Sequence, residues 1–134
     1  MSKYCEITVK NHKKYNRKIV FLIFNDCSIE DSEEVDKIAT EYHKIVKENP
    51  SISSIIDARN VKSCSKSLAF NKAQSLKKYE DIVKENLTCM AIILDNPVLK
   101  MLMDAVTRIQ PFVVPTSIVK ENKEAIEFVI NQIK

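Results

Sequence analysis

A chain of 134 residues, 45% hydrophobic and 29% charged, has the composition of one folded domain with room for a single buried core. A formal charge of +3 is too small to argue for nucleic acid, which is not an expected partner. No apolar run approaches the roughly 20 residues that cross a bilayer. The start, Met1-Ser-Lys-Tyr-Cys-Glu6, lacks a signal peptide's apolar stretch, so a single domain over 1–134 in the cytoplasm is expected.

The sequence contains no glycine, where usage of about 7% would give roughly nine. Positive φ should then fall mostly on Asn and Asp. Asn16, Asn49, Asn60, Asn86 and Asn96 all sit at predicted turns or helix ends. Walker A, G-x-G-x-x-G and G-x-S-x-G motifs are excluded outright. The cysteines at 5, 27, 64 and 89 are far apart and form no C-x-x-C. A zinc site or a thioredoxin-type motif is therefore not expected, and neither a metal nor a cofactor is implied. Cys5 and Cys89 fall in predicted strands and read as small core residues.

Residues 3–10 alternate, with Cys5, Ile7 and Val9 opposite Tyr4, Glu6 and Thr8, which predicts a half-buried edge strand. A basic turn, Lys10 to Lys18, leads to Ile19-Val-Phe-Leu-Ile-Phe24, apolar throughout like a central strand. The two strands should form an antiparallel hairpin. The first helix is predicted over about 29–48, with Ser28 and Asp31 as a capping-box variant. Val35, Ile38, Ala39, Tyr42, Ile45 and Val46 make its apolar stripe, and Asn49-Pro50 stops it. A strand follows from Ile52 to Ala58. The second helix spans about 66–86, with Ala69, Ala73, Leu76, Val83 and Leu87 in line. Thr88 to Leu94 is a fully buried strand. A third helix runs from about 98 to 110 and ends at Pro111. The last strand is Phe112 to Val119, on an edge because Pro115 lies inside it. Asn122 caps a final helix carrying Ile126, Val129, Ile130 and Ile133.

Ile-Val-Lys-Glu-Asn occurs at 45–49, 82–86 and 118–122. It reads as biased composition on β-α units, not as a repeat protein. The order β-β-α-β-α-β-α-β-α predicts a single layered α/β domain: an N-terminal β-hairpin, then β-α repeats. Its sheet should be mainly parallel with an antiparallel edge strand.

That order, the strand closing on Asp57-Ala-Arg-Asn-Val61, the strand Met90-Ala-Ile-Ile-Leu94 and the ending Ser117 to Phe128 resemble the STAS-like superfamily. This is the fold of bacterial anti-sigma-factor antagonists and of small STAS- or SEC14-like proteins. The resemblance implies a regulatory module that binds protein. The antagonists' phosphorylatable serine stands in an Asp-Ser pair after this strand. This chain has Ser63, Ser65 and Ser67 there, and no Asp-Ser.

Asp57 and Arg59, two apart on a strand, share a face. They form either a partner- or anion-recognition pair, or an ion pair that organises the turn with Asn60 at an unusual backbone angle. Ser63, Ser65 and Ser67 are candidates for modification or for anion binding at a helix N-terminus, with one of them the N-cap. In the basic turn Lys13, Lys14, Arg17 and Lys18 surround Tyr15. They would contact an anion, or simply be solvated. The acidic run Asp26, Glu30, Asp31, Glu33, Glu34 and Asp36 would bind a cation or favour the helix dipole. His12 and His43 read as surface residues. The third helix is apolar nearly all round, with Val98, Leu99, Met101, Leu102, Met103, Ala105, Val106 and Ile109. It would meet a partner or an apolar ligand, a homodimer through 98–110 included, or lie between the sheet and the final helix.

No acid/base pair, triad or metal set is assembled, so catalysis is not expected. A non-catalytic STAS-like interaction module working around 57–70 is the first reading. A SEC14-like binder of a small apolar ligand or lipid is the alternative. The third is a receiver-like phosphoacceptor, with Asn25-Asp26, Asp57 and Lys120 as its parts.

Overall fold

The computed structural model describes residues 4–12, 17–29, 31–64 and 77–132. Its elements are β1 (Cys5–His12), β2 (Arg17–Phe24), β3 (Cys27–Ile29), α1 (Ser32–Glu48), β4 (Ile52–Asp57), β5 (Val61–Cys64), α2 (Glu80–Asn86), β6 (Leu87–Ile93), α3 (Pro97–Ile109), β7 (Thr116–Val119) and α4 (Asn122–Gln132). Five strands make one sheet in the order β1-β2-β4-β6-β7. β1 and β2 are antiparallel, and the other neighbours are parallel. The expected α/β architecture with its antiparallel edge strand is present.

The hairpin ladder runs from Cys5↔Phe24 to His12↔Arg17. Arg17 and Lys18 are therefore strand residues, not turn residues. Lys18 Nζ donates to Asn49 Oδ1 at 3.1 Å, and Lys10 Nζ lies 5.4 Å from the Phe21 ring centroid. Lys13 and Lys14 lie outside the described residues.

Alternation along the strands sends the two faces of the sheet to different partners. On one face Val20, Leu22, Ile52 and Leu87 pack with Ile38, Tyr42 and Val46 of α1, joined by Ile82 and Val83 of α2. Phe24, Ile56 and Met90 of that face also meet Leu99, Leu102 and Met103 of α3. On the other face Ile19, Ile55, Cys89, Ala91 and Ile93 meet Ala125 and Val129 of α4. α3 and α4 thus cover opposite faces, and the expectation of α3 sandwiched between sheet and final helix is corrected. Cys5 and Cys89 are buried core residues as expected.

Three local expectations change. The N-cap of α1 is Asp31, whose carboxylate accepts from the backbone of Glu33 at 3.0 Å and Glu34 at 3.4 Å. A negative cap suits the positive end of a helix, and Ser28 instead belongs to β3. Left-handed backbone among the described residues falls on Ser51, with φ 66°, and not on an Asn. Asn49 stays at φ −130° because its side chain reaches back to Ile45 O at 2.8 Å and closes α1. Pro50 holds its own φ negative, so the reversal is left to Ser51. β7 covers only Thr116–Val119. Pro115, which has no N–H for a ladder, precedes it, and its carbonyl accepts from Met90 N at 3.0 Å. The edge position is as expected.

In the predicted second helix, residues 66–76 lie outside the described region. α2 passes directly into β6, and Asn86 Nδ2 closes the helix on Ile82 O at 2.9 Å. No described helix is long and apolar enough to cross a membrane.

Candidate functional site

β4 leaves the sheet through Asp57, and Ala58-Arg59-Asn60 turns the chain into β5. Ala58 N still donates to Ile93 O at 2.9 Å, and Val61 N closes the turn on Ala58 O at 3.2 Å. Within it, Arg59 grips Asp57 with three donors. Nε reaches Oδ1 at 3.0 Å, Nη2 reaches Oδ2 at 2.7 Å, and the backbone N reaches Oδ1 at 3.1 Å. Such a planar fork is specific to arginine. The Arg59 side chain hydrogen bonds hold the Asp57 carboxyl below the usual carboxylate range, against partial burial that pushes the other way. Asp57 raises the Arg59 pKa in turn, and Glu121 adds its field.

Around this fork the carboxyl edge of the sheet collects further polar groups. Asp26 pairs with Lys62 at 3.3 Å, both widely exposed. Asn96 caps α3, accepting from Val98 N at 2.9 Å and Leu99 N at 3.3 Å. Its amide also reaches Lys62 O at 3.5 Å. Asn60 is exposed, and positive φ does not fall on it. Ser63 is an exposed residue of β5, opposite Ser28 in a small parallel pair with β3. It is not at a helix N-terminus, as the sequence reading had it. A strand of four residues pairing with one of three, 34 residues earlier, carries too short a pattern to be read. Ser65 and Ser67 lie outside the described residues.

The receiver-type trio is not assembled as a free acidic pocket. Both Asp57 oxygens accept from Arg59, Asp26 is engaged by Lys62, and among the described residues the main sheet has four parallel strands where a receiver has five. The acidic run splits among a cap at Asp31, an ion pair of Glu34 with Lys37 at 3.5 Å, and the Asp26 pair. The parallel strands follow chain order, β2-β4-β6-β7. No reversal of strand order opens the crevice that doubly wound sheets use for ligands.

A second candidate site lies against α3, which the sequence reading offers as a partner or apolar-ligand surface. Between α1, α3 and the sheet lies a partly open cavity of about 290 Å³, floored by Leu22, Ile56 and Ile92 and walled by Ala39, Tyr42, Leu102, Met103 and Val106. Closed and dry, that space would cost about 7 kcal/mol at roughly 24 cal/mol per Å³, comparable to a small domain's whole stability. His43, expected on the surface, lines it at 4% exposure. Its Nδ1 lies 2.7 Å from Ala39 O. Burial pushes the Tyr42 phenol up to about 12, against a smaller pull from the Ser54 hydroxyl. The available signal was α3 itself. Met103 turns inward onto the core, whereas Met101, two residues earlier, is 71% exposed.

The profile of a family described as Domain of unknown function (DUF7793) matches residues 14–133. No curated protein is significantly similar to the chain. Among solved structures, an uncharacterised protein of the DUF3478 family from Shewanella loihica PV-4, with a SpoIIAA-like fold, superposes with a TM-score of 0.58. The identity is 14%, covering 96% of this chain and 98% of that one. SpoIIAA-like is the STAS-like fold, so the expected fold stands.

Proposed function

The chain belongs to the DUF7793 family and has a SpoIIAA-like fold, and on that premise we propose that it is a non-catalytic interaction or regulatory module whose working surface is the β4–β5 turn. The observation that carries this is the Asp57–Arg59 fork. It fixes a guanidinium at the carboxyl edge of the sheet, with the Arg59 side chain 43% exposed and Asp57 15% exposed. A guanidinium has five N–H donors, and the fork engages Nε and Nη2. An arginine held in one orientation loses less rotamer entropy when a partner's carboxylate or carbonyl docks on it. Asn60, Lys62 and Ser63 are exposed beside it and would form the rest of the contact. The unreversed strand order supports recognition over catalysis.

The test is capture of partners on the tagged chain from its native cell extract, with wild type and Arg59→Glu compared by mass spectrometry. A stoichiometric protein retained by wild type and lost from the variant is expected. Equal retention by a folded Arg59→Glu chain refutes this surface.

The outer side of α3 favours a second contact, with another copy of the chain. Val98, Met101 and Ile109 are 66%, 71% and 56% exposed, and exposed apolar residues on one helix mark association surfaces.

A further inference from the structure

We propose that β1 pairs antiparallel with β1 of a second copy of the chain, about a two-fold axis at Thr8, so that the two sheets join into one. The edge itself is open. β1 ends the sheet and has β2 as its strand neighbour among the described residues. Asn25 N donates to Tyr4 O at 2.8 Å, one step beyond the ladder that begins at Cys5↔Phe24. Tyr4 and Asn25 are therefore a hydrogen-bonded pair, and such pairs alternate along an antiparallel ladder. Glu6, Thr8 and Lys10 direct their backbone groups to β2, while Ile7, Val9 and Asn11 direct theirs outward. Cys5, at 2% exposure, closes one end of this edge, but Glu6, Val9, Lys10 and Asn11 are exposed, Val9 by 43%. An unpaired edge of this kind is a template for another strand.

Charge selects both the occupant and the register. A two-fold axis between identical strands makes them antiparallel and self-complementary. With the axis at Thr8, Ile7 lies opposite Val9 of the second copy, and the two exchange both backbone hydrogen bonds. Symmetry repeats the exchange at Val9. Glu6 then lies opposite Lys10 at both ends, in non-hydrogen-bonded pairs, where side chains come closest. Glu6 and Lys10 belong to none of the ion pairs of the described residues. An axis at Glu6 would set Glu6 against itself, and one at Lys10 would set Lys10 against itself. Like charges directly opposite are destabilising. An axis at Ile7 or Val9 brings Thr8 opposite one of the charges and matches neither with the other. A lone Lys on an edge discourages pairing. The Glu four residues before it makes a copy of the same strand the matched partner.

The test is a cross-link. Across a non-hydrogen-bonded pair the Cα atoms stand about 4.5 Å apart, within reach of a disulfide. The full chain carrying Thr8→Cys, oxidised with diamide in roughly 50 mM salt, should give a dimer bonded through the substituted position of both copies, read by peptide mass mapping. Adding Glu6→Lys or Lys10→Glu to that chain sets like charges opposite and should slow the cross-link about tenfold. An equimolar mixture of those two double variants restores opposite charges at both ends. It should regain the rate of Thr8→Cys alone, with the product a heterodimer by mass. Absence of the cross-link from a Thr8→Cys chain with an unchanged circular dichroism spectrum overturns the contact. Rates indifferent to charge, or no recovery in the mixture, overturn the register. If Thr8→Cys does not fold, Glu6→Cys mixed with Lys10→Cys, both at exposed sites, should cross-link as a heterodimer. Equal cross-linking of either chain alone overturns the register, and no cross-linking overturns the contact. Met101→Lys, on α3, should leave the cross-link unchanged, and its loss there overturns β1 as a contact separate from that of α3.

Discussion

His43 of α1 and Tyr79, at the start of α2, stack face to face, with ring centroids 3.8 Å apart and planes within 6°. Tyr42 meets the same imidazole edge-on at 4.9 Å. This ring cluster ties α2 to α1, so His43 is a structural residue of the helical layer. Replacing it by Ala removes a buried ring and its link to Ala39 O. The expected loss is about 2–4 kcal/mol, read as a lower urea midpoint with an unchanged m-value. Tyr79→Leu keeps apolar bulk but not the stack, and should cost about 1 kcal/mol.

The Asp57–Arg59 fork has a pH signature. The folded-state pKa of Asp57 is lowered, so between the folded and unfolded values the unfolded chain binds more protons. Stability from this carboxylate is complete above the unfolded value near 4 and is lost as pH falls through the folded value. Asp57→Asn should therefore be less stable than wild type at pH 7, by roughly 1 kcal/mol for a partly exposed pair. The two should converge on acidification, as pH falls through the lowered folded-state value. Urea titrations from pH 2.5 to 7 measure the gap, and a constant gap would show that the charge contributes nothing.

Ser51 sits at φ 66° in a chain without glycine. A residue with a Cβ loses about 1–2 kcal/mol there, part of which glycine would give back as chain entropy. Ser51→Gly should raise stability by about 0.5–1 kcal/mol, seen as a higher Tm, and Ser51→Val should lower it by more than that.

Ile55 is 1% exposed between Cys89, Ala91 and the α4 residues Ala125 and Val129. Ile55→Ala should cost about 3 kcal/mol. Met101→Lys, at an exposed site, should change stability by less than about 0.5 kcal/mol. If α3 joins two copies, it should also turn a dimer into a monomer in analytical ultracentrifugation.

Legibility in the sequence followed the length of each pattern. β2, β4, β6 and α1 were readable because whole faces of each are buried, and burial writes either a long apolar run or a 3.6-residue stripe. The antiparallel edge and the reversal of chain direction at Asn49-Pro50-Ser51 were readable in outline. Which residue carries the positive φ was not, because it depends on Asn49 being occupied by Ile45 O. The β3–β5 pair was invisible, since seven residues in two separated pieces show no period. At the candidate site, spacing alone put Asp57 and Arg59 on one face, and the fork adds three hydrogen bonds to that. His43 was misread because its partner, Tyr79, stands 36 residues further on.

The unreversed order of the parallel strands also bears on how the chain assembles. Each parallel strand joins the sheet directly beside the one made before it, next to a hairpin whose contacts are local. A chain emerging from the ribosome can therefore build its sheet in the order of synthesis. α4 comes after the last strand, so until residues 122–132 arrive, Ile19, Ile55, Cys89, Ala91 and Ile93 lack their cover. The nascent protein is most prone to aggregate in that interval.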